Sequence, residues 1–200
     1  MSKTEILKIK GDWQDVVDGC RATVKKPPLG HEPSRAFKEN ILIAEHEPIR
    51  EIEIKWAWKD LPYWVAMHFK THIWPSRTST QRTDRTGVDR TVLPQDAPVD
   101  FEGRANPQHL IDTARKRLCL QASLETRAHM TDLKYTIGEI EPEISFVLVP
   151  NCVYRFGCPE MNPCGKWESF KNYCKKQDFD LFNASISARY KMYNEWSRKA

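Results

Sequence analysis

The stretch REIEIKWAW, residues 50–58, constrains this chain most, because Ile52, Ile54, Trp56 and Trp58 alternate there with Glu51, Glu53, Lys55 and Ala57. A period of two sends successive side chains to opposite sides of an extended backbone, so this segment reads as a strand with one buried face. Two indoles on that face mark it as core or subunit interface rather than as a stacking platform.

Other elements group around that strand. A short strand is expected near Ile6–Lys10, a helix over Trp13–Cys20, then a Pro/Gly-rich linker, KKPPLGHEP, and a second helix over Arg35–Ala44. Asp60 and Pro62 predict the cap and first turn of a helix from Tyr63 to about Phe69. Residues 74–102 lack apolar periodicity, carry Arg77, Arg82, Arg85 and Arg90, and read as one extended functional loop. Asn106 and Pro107 cap a helix with Leu110, Ile111, Ala114 and Leu118 on one face; Met130, Leu133 and Ile137 mark another. After the apolar segment Ile144–Val149, the last 35 residues read as amphipathic helices with Phe170, Tyr173, Phe182, Ile186 and Tyr190 as contacts. The expected fold is α/β (α+β), a mostly antiparallel sheet flanked by helices.

A length of 200 residues suits one domain with a helical appendage, divided here as 1–165 and 166–200. With 40% apolar residues and seven Trp, the composition is that of a folded protein rather than a disordered one. No segment has the apolar run of a signal peptide or membrane span, so a cytoplasmic protein is expected, with its six cysteines as thiols. The cysteines lack the C-x-x-C spacing of ordinary zinc sites, and no metal is assigned. A net charge of +4 suits an anionic ligand such as a phosphate monoester and falls short of a dedicated nucleic-acid binder.

The segment TSTQRTDRTGVDR sets hydroxyls and a turn glycine beside three arginines, the donors a phosphate needs. Together with the preceding HFKTHIWPSR it resembles the motif RHR-x-x-S-x-N-E-x-S-x-R of the flavin-dependent thymidylate synthases. Thr78, Thr80, Gln81, Thr83 and Arg85 fall where the second half has Ser, Asn, Glu, Ser and Arg; with two residues inserted between the halves, His72 falls on the central His of the first half, and Thr71 and Ile73 stand in place of its flanking arginines. DRTVLP is similar to the family's A-R-x-x-L-P through Arg90. NPQHLIDTARKRLCLQASLETR resembles its N-x-R-x-L helix from Asn106, with Arg117 eleven residues on, then Ala122, Glu125 and Arg127. Only four residues separate Arg85 from Arg90, where the family carries a long helical insertion, so this would be a compact version.

The resemblance implies methylation of dUMP at C5 to dTMP, with FAD as cofactor and NADPH and methylenetetrahydrofolate as co-substrates. It implies a homotetramer whose active sites lie between subunits, with no nucleic acid and no membrane as partner. Arg117 would be catalytic, an always-charged donor to the negative charge that develops on the uracil. His68, Gln81, Arg82, Thr83, Asp84, Arg85, Arg90 and Arg117 would bind the nucleotide. Thr71, His72, Ile73, Arg77, Gln81, Asn106, Gln108 and Asp112 would bind the cofactor. Two other readings compete: a different C5 modification such as hydroxymethylation, and a non-catalytic nucleotide- or nucleic-acid-binding homologue.

Overall fold

Four strands form one antiparallel sheet in the order β1 (Glu5–Lys10), β2 (Glu53–Pro62), β4 (Pro98–Ala105) and β3 (Ser76–Thr78), in a computed structural model that describes residues 3–199. Register pairs Trp56 with Gly103 and Trp58 with Phe101. The first pairing explains the glycine: a Cβ at 103 would stand 2.3 Å from Cζ2 of Trp56, so no larger residue fits beside that indole. Trp56, Trp58 and Phe101 are fully buried and pack with Phe69 and Trp74, the indoles edge to face at 5.8 Å. On the opposite face Lys55 pairs with Glu102 at 2.8 Å, Lys59 with Asp100 at 2.7 Å and Arg104 with Glu53 at 3.2 Å. These solvated pairs add little stability and chiefly keep the sheet's outer face wet.

The helices are α1 (Trp13–Thr23), α2 (Arg35–Ile43), α3 (Tyr63–Lys70), α4 (Thr83–Thr86), α5 (Pro107–Arg117), α6 (Leu124–Gly138), α7 (Pro142–Val147), α8 (Asn151–Tyr154), α9 (Lys166–Lys176) and α10 (Ile186–Ser197). The α+β class, the antiparallel sheet and the flanking helices agree with the sequence reading. The expected α5 cap is present, with Asn106 Oδ1 accepting from the His109 amide at 3.0 Å, and on α1 Asp12 and Asp15 form a capping box. Met130, Leu133 and Ile137 of α6 are buried at the centre, and Trp167, Phe170, Tyr190 and Tyr193 of the last two helices join the same core.

Three expectations are corrected. Residues 74–102 are not one loop, because β3 and the first half of β4 lie within them. The alternation of Val99, Phe101, Gly103 and Ala105 is a strand pattern masked by its two small members. Asp60 does not cap α3: it sits at φ +51° inside β2, which runs on to Pro62. The amides of Tyr63 and Trp64 instead donate to the carbonyls of Ala97 and Gln95. Among the C-terminal contacts, Phe182 and Ile186 are exposed, and Leu181 and Tyr193 occupy the core. Among the described residues no helix is long and apolar enough to cross a membrane, and no three His, Cys, Asp or Glu side chains are grouped to hold a metal ion.

Candidate active site

Arg117, at the C-terminal end of α5, reaches across to the C-terminal end of α3. Its Nη2 donates to the carbonyl of His68 at 2.8 Å and to Thr71 Oγ1 at 3.2 Å, while Nε donates to His72 Nε2 at 2.8 Å. A helix end presents carbonyls without partners, so a guanidinium there satisfies backbone and positions itself in one step. Nη1 is left without a bond to the described residues, and burial lowers the guanidinium from its ordinary value while leaving it charged near neutrality. His72 is pulled down to about 4, first by burial and then by the charges of Arg117 and Lys116, so its ring is neutral and accepts at Nε2. His68 Nδ1 lies 2.9 Å from Thr126 Oγ1, which ties α3 to the start of α6.

Beside this contact opens a cleft of about 500 Å³, whose walls include Thr71, His72, Ile73 and Asp112. Four of the cofactor candidates thus share one surface. Gln108 joins them indirectly, donating to Glu45 at 2.6 Å and lying 3.5 Å from Asp112. Asn106 uses its side-chain oxygen as the α5 cap, one turn below. Arg77 lies apart, on β3, in a concavity of the outer sheet face with Lys55 and Glu102.

The nucleotide candidates of the 79–92 segment form a second group. Arg82 grips Asp84 with Nε and Nη2 at 3.0 and 2.7 Å, Thr83 Oγ1 accepts from the Arg90 amide at 3.2 Å, and Arg85 lies 3.9 Å from Asp84. Gly87, at φ +73°, ends α4 and lets the chain turn back toward Arg90. Arg82, Thr83, Asp84 and Arg90 border a shallow hollow of about 450 Å³, and all are exposed, while the neighbouring Gln81 is half-buried. Within one chain no hydrogen bond among the described residues links this group to Arg117.

The fold is similar to that of a UMP/dUMP methylase. The crystal structure of PolB from Streptomyces cacaoi, bound with 5-Br dUMP, superposes with a TM-score of 0.61 at 11% identity, covering 74% of this chain and 94% of that one. No family model and no curated protein matches the sequence. At this identity the likeness is one of fold.

Several cleft residues carry no sequence assignment: His109, Arg115, Lys116, Asn151, Tyr154 and Arg155. Arg115 pairs with Glu45 and Asp112, stacks 3.6 Å from the Tyr154 ring centre, and keeps a buried Nε without a partner. Lys116 and Arg155 have no carboxylate within ion-pair distance among the described residues. The signal for Arg115 and Lys116 was present in the ARKR run, which reads as a solvated face until α8 is folded against α5. Two unpaired cations, Lys116 and Arg155, and the exposed edge of Ile73 give the cleft both a positively charged and an apolar part.

Proposed function

We propose that the chain methylates dUMP at C5 to give dTMP, with FAD in the cleft beside Arg117. The overall change takes dUMP, methylenetetrahydrofolate, NADPH and a proton to dTMP, tetrahydrofolate and NADP+. The observation that carries this reading is the meeting, through hydrogen bonds, of Arg117 with residues 68, 71 and 72, from two stretches that resemble separate motifs of the same family. The similarity of fold to a methylase of UMP and dUMP supports it.

In this reading the free Nη1 of Arg117 donates to the uracil O4 and N3 side and stabilises the negative charge that makes C5 nucleophilic. His72, neutral, holds Arg117 in orientation without competing for the anion. Arg85 and Arg90 grip the 5′-phosphate, with Gln81, Arg82, Thr83 and Asp84 shaping the loop. In a homotetramer that loop belongs to a neighbouring subunit, which brings its phosphate site over the Arg117 of another. Arg115, Lys116 and Arg155 hold the cofactor's phosphates, and Ile73, Thr71 and Asp112 flank its ring. Flavin, when bound, supplies the hydride that reduces the transferred one-carbon unit.

The test is product analysis. Purified chain incubated with dUMP, FAD, NADPH and methylenetetrahydrofolate is expected to yield dTMP by mass spectrometry. A product heavier by one oxygen would identify the hydroxymethylating alternative. A colourless protein that binds neither flavin nor dUMP would refute both.

A further inference from the structure

Another concavity, of about 350 Å³, lies between α6, α9 and α10, on residues the proposed chemistry does not use. Its polar end holds three cations, Lys134, Lys166 and Arg127, and its apolar wall is Leu118, Leu120 and Trp196. Lys134 is only 3% exposed; its Nζ donates to the carbonyl of Leu148 at 2.7 Å and to Asn194 Oδ1 at 2.6 Å. Lys166 Nζ donates to the carbonyl of Leu118 at 2.8 Å. Both ammonium groups stand over the one Tyr193 ring, at 5.1 and 5.9 Å from its centre. Arg127 makes a single long bond, 3.4 Å, to the carbonyl of Ala122.

Among the described residues no carboxylate lies within ion-pair distance of any of the three. An ammonium carries three donors, so beyond the Tyr193 face one proton of Lys134 and two of Lys166 have no nitrogen or oxygen acceptor among the described residues. Burying such cations without an anion is costly, and a tether between α6 and α10 accounts for Lys134 alone. It does not account for Lys166 and Arg127 converging on the same cavity. We propose that this concavity binds a small aromatic oxyanion, its charged end on Lys134, Lys166 and Arg127 and its ring against Leu120 and Trp196. Burial and the charges of Lys166 and Arg198 hold Lys134 down at about 7, and an anion bound beside it would favour its ammonium form.

Calorimetric titration of the full chain with phenyl phosphate and with benzoate tests this, since the two separate a phosphate from a carboxylate ligand. One site per chain is expected for at least one of them, with benzyl alcohol, uncharged, binding at least tenfold more weakly. Arg127→Gln and Lys166→Met should each weaken the anion tenfold or more, Arg127→Gln serving where the Lys166 change disturbs folding. Saturating dUMP should leave the titration unchanged. No binding at millimolar concentration, equal binding of benzyl alcohol, indifference to both substitutions, or displacement by dUMP would each overturn the proposal.

Discussion

The Nε–H of Arg117 donates to Nε2 of His72 across 2.8 Å, which fixes a guanidinium at the end of α5 and an imidazole from the turn after α3 in one orientation. The bond requires an unprotonated Nε2, so the neutral ring carries its proton on Nδ1. NMR of the imidazole nitrogens should show that tautomer and a midpoint near 4 against the ordinary 6.5. Because the unfolded chain binds the proton first, stability from His72 is lost as pH falls from 6.5 toward 4 and is complete above that window. Arg117→Ala should raise the midpoint only part of the way, since burial is the larger cause.

The same substitution removes three hydrogen bonds from a half-buried group, at a cost of about 2 kcal/mol in stability by chemical denaturation. Turnover of dUMP should fall by roughly a hundredfold or more, as for loss of a charge-stabilising donor. Normal turnover in a folded Arg117→Ala protein would remove it from the chemistry.

Arg90 lies exposed in the 79–92 loop, with its backbone amide already held by Thr83. Arg90→Ala should therefore leave the fold intact and raise the dissociation constant for dUMP roughly tenfold, equivalent to losing one charge-assisted contact. The affinity that remains should depend less on salt, as solvent-exposed charge interactions are screened. Equilibrium binding at two ionic strengths measures both effects.

Gly103→Ala places a methyl group against the fully buried Trp56. Overpacking of that kind costs about 1–3 kcal/mol, read as a lower denaturation midpoint without a change in slope.

Lys134, held at about 7 in the folded protein against an ordinary 10.5, binds its proton more tightly when unfolded. Its contribution to stability accordingly rises as pH goes from about 7 toward 10.5, by on the order of a few kcal/mol. The wild-type minus Lys134→Met difference in unfolding free energy should climb over that range, whereas a flat difference would place the ammonium in an aqueous environment.

Local chemistry in the sequence determined much of this molecule. The alternation through Trp56 and Trp58, the Asn106–Pro107 helix start and the Met130, Leu133, Ile137 stripe each depend on neighbours a few residues away, and each is found where periodicity puts it. Strand β4 was hidden because Gly103 is small for the sake of Trp56, a residue 47 positions earlier. Only the tertiary structure decided that Arg117 meets His68 and His72, that Arg115 and Lys116 face a cleft instead of solvent, and that Lys134 is buried beside Lys166. Contacts of that kind come from helix ends packed across long stretches of chain, and burial, which sets the charge and direction of each group, is a property of the packing.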